Sequence, residues 1–151
     1  MPVKLRGALP VQYCLDASGA RTTLSAMPID ATQPYDDSNI FARILRGELP
    51  CKKVYEDEHS LAFHDINPIA PVHILVIPKG AYVSWDDFSE RASGDEIAGF
   101  VRAVGKVARD AGMVVQGYRL LSNVGKRSGQ EVPHLHVHIF GGQPLGRMLS
   151  A

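Results

Sequence analysis

The pattern of apolar and polar positions changes character near residue 38. Before it, Pro, Ala, Ser, Thr and Asp are mixed without a sustained period, and residues 1–37 are expected to form a disordered N-terminal extension. From Ser38 onward short periodic segments follow one another, and 38–151 are expected to form one domain. Ile40-Phe41-Ala42-Arg43-Ile44-Leu45-Arg46-Gly47 reads as a short amphipathic helix, with Ser38 as its N-cap and Gly47 as its stop. Lys52–Glu56 and Ser60–Asp65 read as strands joined by the acidic turn Glu56-Asp57-Glu58-His59. Val72-His73-Ile74-Leu75-Val76-Ile77 reads as a buried strand that ends at Pro78.

Ser93-Gly94-Asp95-Glu96 fits a capping box, because Glu stands three residues after Ser. Ile97, Phe100, Val101, Val104, Val107, Ala108 and Ala111 follow at helical spacing, and Gly112 closes the helix. Trp85 and Phe88, between the third strand and this helix, read as packing anchors. Tyr118–Ser122 is a further strand, and the loop from Asn123 to Gln130 leads into the last one. The order is a short helix, three strands, a long helix and two strands. That order predicts an α+β domain with a five-stranded, mainly antiparallel sheet.

The last strand carries the chemistry. In His134-Leu135-His136-Val137-His138-Ile139-Phe140 the alternation is strict, and side chains on a strand point to opposite faces at a period of two. Leu135, Val137 and Ile139 can face a core while three imidazoles line the other face, roughly 7 Å apart by the rise of a strand. This row holds three of the six histidines in the chain, so chance clustering is a poor explanation. An imidazole titrates near neutrality and offers a nucleophilic nitrogen. The glycines of the preceding loop, Gly125 and Gly129, allow a close backbone approach to phosphate oxygens.

Composition narrows the reading. The 16 Lys and Arg balance 16 Asp and Glu, which argues against broad electrostatic capture of nucleic acid or an anionic membrane. No run approaches the roughly 18 apolar residues of a membrane span. Cys14 and Cys51 lie far apart and form no CxxC pair, which suggests a reducing compartment. A cytoplasmic protein is the expectation.

The chain resembles the histidine triad superfamily, whose signature His-φ-His-φ-His-φ-φ (φ apolar) is met at every position from His134 to Phe140. The resemblance extends through Ile40-Phe41 and Ile44, Leu49-Pro50, Ala62-Phe63-His64-Asp65-Ile66, Ala70-Pro71, His73, Val76-Ile77-Pro78-Lys79, Gly117-Tyr118-Arg119, Asn123, Gly129-Gln130 and Gly141-Gly142. This order is similar to the nucleotide-binding branch of that superfamily, in a bacterial-looking form. The resemblance implies a homodimer whose two sheets join, and hydrolysis of purine nucleoside 5'-phosphoramidates without metal or cofactor. It implies His136 as nucleophile, His138 as the phosphate contact, His134 as an indirect orienter and His73 as an upstream partner. Asp65 would hold the ribose hydroxyls. Ile40, Phe41, Ile44, Phe63, His64 and Ile66 would surround base and sugar, with Asn123, Gly129 and Gln130 at the phosphate.

Two positions depart from relatives of that branch. Glu131 stands where many eukaryotic members have Ser, and a carboxylate there repels phosphate unless it is protonated or turned away. The tail Gln143-Pro144-Leu145-Gly146-Arg147-Met148 lacks a Trp-Pro-Pro ending. Alternative readings are a nucleotide-binding regulatory protein with incidental turnover and a dinucleoside polyphosphate hydrolase. A zinc site built on His at i and i+2 lacks an evident Cys or acidic partner, apart from Glu131.

Overall fold

The computed structural model describes residues 28–149, together with two short strands ahead of them. These are β1 (Tyr13–Leu15) and β2 (Arg21–Thr23), which pair antiparallel. They fall within the expected extension, the remainder of which up to residue 27 lies outside the described residues. The domain follows as α1 (Ile40–Leu45), β3 (Lys53–Glu56), β4 (Ser60–His64), β5 (Val72–Pro78), α2 (Trp85–Arg91), α3 (Gly94–Asp110), β6 (Arg119–Leu121) and β7 (Val137–Gly141). Strands β3 to β7 form one sheet in the order β3-β4-β5-β7-β6, antiparallel throughout. Among the described residues no helix is long and apolar enough to cross a membrane.

β5 explains the arrangement. It sits in the middle of the sheet with both faces covered, which is why it reads as an almost unbroken apolar run. Ile74 and Val76 join the core beneath α3, with Phe100, Val104, Val107 and Ala108 from that helix. Leu75 and Ile77 point the other way, into a second core with Phe41, Leu61, Phe63 and Val132. β7 divides its residues as expected, since Val137 and Ile139 join the α3 core together with Leu135.

Some elements differ from the sequence reading. The N-cap of α1 is Asn39, not Ser38: its side chain accepts from the Phe41 and Ala42 amides at 3.0 Å each. The Ser38 amide is instead bound by Asp36 Oδ1. The domain has two short helices rather than one, for α2 was not foreseen. Ser84 and Asp87 close a capping box around its start, and an Asp at the third position is a weaker signal than Glu or Gln. Phe88 is a fully buried anchor on this helix, whereas Trp85 is 42% exposed. Val101 on α3 and Ala111, the residue that caps its end, are exposed. The last strand begins only at Val137, so His134 to His136 approach the sheet without belonging to its ladder.

The two aromatic residues of α2 should therefore differ in energetic weight. Phe88→Ala removes a ring packed against Tyr82 and Phe100 at centroid distances of 5.1 and 5.2 Å. It should cost about 3–5 kcal/mol in denaturant unfolding. Trp85→Ala should cost less than about 1 kcal/mol, and equal losses would contradict this packing.

Candidate active site

The register of β5 against β7 assembles the site. Leu75 lies opposite His138 and His73 opposite Phe140, so His73 and His138 are diagonal neighbours on one face. His73 Nε2 and His138 Nδ1 are 2.9 Å apart. Asp65 follows β4 directly, and its amide donates to the His73 carbonyl. Its carboxylate divides its work: Oδ1 accepts from the Asn67 amide at 2.8 Å, and Oδ2 lies 3.4 Å from His73 Nε2. The rings of His136 and His138 meet edge to face, with centroids 5.1 Å apart and an interplanar angle of 67°.

Hydrogen bonds decide which ring nitrogen carries each proton. His136 Nδ1 lies 2.7 Å from the His134 carbonyl, which can only accept, so the proton sits on Nδ1 and Nε2 keeps its lone pair. The Ile69 amide donates to His73 Nδ1, which places the His73 proton on Nε2. His73 then donates to His138 Nδ1, leaving the His138 proton on Nε2. Two neighbouring imidazoles thus take opposite tautomers, one presenting a lone pair and the other an N–H. Burial holds all of them neutral. It lowers His134 to about 4 and His138 to about 3, each from the ordinary imidazole range. Burial also lowers His136 and His73, with the Asp65 carboxylate opposing the shift at both.

A cavity of about 550 Å³ opens beside these rings. His73, His136, His138 and Asp65 line it, as do Asn123, Ser128, Gly129 and Glu131 from the loop before the histidines. Partial burial, then the nearby Asp65 carboxylate, raises the Glu131 carboxyl. The C-terminal tail supplies a further wall through Pro144, Leu145 and Met148. The Arg119 guanidinium holds this tail by donating to the Gly146 carbonyl at 2.7 Å and to those of Leu145 and Arg147 at 3.5 and 3.3 Å.

Other expected site residues do not line this cavity. Phe41 and Phe63 are buried in the second core, with Ile40 and Ile44 packed against them. Phe41 backs the site, standing edge-on to His136 at 5.1 Å between centroids. Ile66 and His64 are exposed. Gln130 is buried and fully engaged: its Nε2 donates to the Val83 and Val132 carbonyls, and its Oε1 accepts from the Gly125 amide. It therefore shapes the loop rather than offering a free donor to phosphate. His134 is also fully buried, with Nε2 donating to the Pro78 carbonyl at 2.9 Å. The sequence reading did not single out Ser128 or Arg119 for the site, nor Tyr35, whose hydroxyl meets His134 Nδ1 at 2.5 Å. Tyr35 lies before the expected boundary at Ser38, and nothing in its local pattern signals that contact.

Asp65, His73 and His138 bring one ligand atom each within 4.8 Å of one another. Their hydrogen bonds fit a proton-ordering chain better than a cation site. A metal-bound His normally donates its outer N–H to an acceptor. His73 Nδ1 instead faces the Ile69 amide, a donor, so the nitrogen aimed into the cluster carries the proton.

The chain is similar to known proteins over this whole framework. It is 68% identical over 116 residues to an uncharacterized 13.2 kDa HIT-like protein of Azospirillum brasilense, covering 77% of this chain and 95% of that one. It is 41% identical over 115 residues to the purine nucleoside phosphoramidase of Escherichia coli K12, covering 76% and 95%. A HIT family hydrolase from Clostridium thermocellum superposes with a TM-score of 0.70 at 40% identity, over 76% of this chain and 99% of that one. A histidine triad protein from Clostridium difficile does so at 0.68 and 42% identity, over 74% and 96%. The HIT domain model matches residues 46–145, the span that builds the sheet, the imidazole row and most of the cavity wall, and this chain belongs to the HIT domain family.

Proposed function

We propose that this protein is a nucleotide hydrolase acting on purine nucleoside 5'-phosphoramidates through a nucleotidyl-histidine intermediate. The observation that carries the reading is the His136 Nδ1 bond to the His134 carbonyl, which leaves a neutral Nε2 lone pair on a residue lining the cavity. A cavity of about 550 Å³ falls in the range that holds a small ligand. The substrate class is supported by the similarity to the Escherichia coli phosphoramidase.

In the first step the His136 Nε2 lone pair attacks the α-phosphorus and the phosphorus–nitrogen bond to the amine breaks. The amine leaves with a proton, for which the raised Glu131 carboxyl is the donor. His138 Nε2–H donates to the oxygens that gather charge. In the second step Glu131 takes a proton from water, which attacks phosphorus. The phosphorus–His136 bond breaks, releasing the nucleoside monophosphate and restoring the imidazole. Asp65 lines the cavity and, in this reading, its carboxylate accepts from the ribose hydroxyls. Purine choice rests on the relative alone, since the expected apolar slot is packed within the second core.

His136→Ala should abolish turnover and retain nucleoside monophosphate binding. Quenched mixtures of the natural protein and substrate should show one nucleotidyl adduct on His136 by mass spectrometry. Near-normal turnover by the variant would overturn the mechanism.

Asp65→Ala should shrink the preference for ribose over 2'-deoxyribose substrates. One lost charge-assisted bond is worth about 1.5–3 kcal/mol. The ratio of kcat/KM for the two sugars, measured in both proteins, decides this, and an unchanged ratio removes Asp65 from the ribose.

Neutral buried imidazoles also set the pH response. The unfolded chain binds protons at the ordinary imidazole value of about 6.5. Folded His134 and His138 bind them only near 4 and 3. Their contribution to stability is complete above about pH 6.5 and is lost as pH falls toward those folded values. The thermal midpoint should be level from pH 8 to 7 and should fall below about 6.5. The acid limb of kcat/KM should also lie below about 6.5, and a limb centred at or above that value would contradict the neutral row.

A further inference from the structure

Tyr35 lies outside the span matched by the family model, residues 46–145. Its ring nevertheless stands edge-on to His134, with centroids 5.5 Å apart. His134 is fully enclosed, and its Nε2 bond to the Pro78 carbonyl requires the proton on that nitrogen. Nδ1 is then an acceptor, and the Tyr35 hydroxyl is its donor. The ring is fixed from both ends. The main-chain carbonyl of this same residue holds the His136 proton on Nδ1. Phe41 stands edge-on to both rings, at 6.2 Å from His134 and 5.1 Å from His136, so movement of one is felt by the other.

A separate contact brings the same stretch of chain to the other side of the site. A Cβ placed on Gly125 would lie 3.8 Å from Ala31 Cβ and 3.9 Å from the Ile29 carbonyl oxygen. The segment from Ile29 to Tyr35 thus runs against both the loop that carries Ser128 and Gly129 and the first histidine of the row.

We propose that Tyr35 is a positioning residue for the nucleophile, acting through His134. Its hydroxyl satisfies His134 Nδ1, locks that ring against Pro78 and so fixes the carbonyl that selects the His136 tautomer. This rests on the reading of His136 as nucleophile. Without the hydroxyl, His134 Nδ1 is a buried acceptor with no partner. The ring then gains freedom to turn, and the carbonyl no longer holds one tautomer of His136. Tyr35 touches neither substrate nor phosphorus in this scheme.

Tyr35→Phe in the full chain is the test, because it keeps the ring and removes one hydroxyl. With a purine nucleoside phosphoramidate, kcat should fall about tenfold, the effect of one hydrogen bond of ordinary strength. KM and the Kd for the nucleoside monophosphate should stay within about twofold of the natural protein, roughly a third of that hydrogen bond's free energy. Nitrogen-15 spectra should show the His134 Nδ1 signal moving to that of an unbonded imine nitrogen, and His136 passing from one tautomer to a mixture. An unchanged kcat with the His134 signal moved would overturn the proposal. So would a joint rise in KM and loss of thermal stability, which marks a packing role alone. If the natural protein fails to turn over the phosphoramidate, the proposed function fails, and the spectra still decide Tyr35. A His136 tautomer mixture in the variant supports the positioning role, and a single unchanged tautomer rejects it.

Discussion

The site depends on the pairing of β5 with β7. A strand shows opposite faces at successive residues, so a slip of one position would turn the imidazoles into the α3 core and Val137 and Ile139 outward. The apolar side chains of both strands prevent that slip. Ile74, Val76, Val137 and Ile139 share one core, while Leu75 and Ile77 are claimed by the other. With the register held, His73 and His138 meet on the diagonal and Asp65 arrives beside them at the end of β4. Hydrophobic burial thus sets the position of polar groups that contribute little to the burial itself.

Position alone does not fix the chemistry of an imidazole. Neutral imidazole has two tautomers, and only a directed hydrogen bond selects one. Here backbone groups make the selection at both ends of the cluster: the His134 carbonyl at His136, and the Ile69 amide at His73. Burial adds the second condition by disfavouring the charged form of each ring. The same enclosure that shapes the cavity therefore keeps its imidazoles uncharged. The Glu131 carboxyl responds to the same physics and is raised first by burial and then by the Asp65 carboxylate.

Much of this was legible in the chain. Alternation of His with Leu, Val and Ile is a local pattern, and it determined the two faces of the last strand and the row of imidazoles. The Ser93 capping box and the period of Phe100, Val104 and Val107 determined the long helix, since caps and helical spacing lie within one segment. Resemblance over many short motifs indicated the family and drew attention to Asp65, His73, Asn123 and Gly129, all of which reach the cavity. Tertiary structure decided what depends on partners distant along the chain. It took Gln130 out of the cavity to bind Val83 and Val132, and it packed Phe41, Phe63, Ile40 and Ile44 into a second core. It brought Tyr35 to His134, a residue 99 positions away. It also selected the tautomers, because a ring proton follows the acceptor or donor that faces it in space. Periodicity reports which face a side chain takes, while the group waiting on that face is known only once the chain has folded.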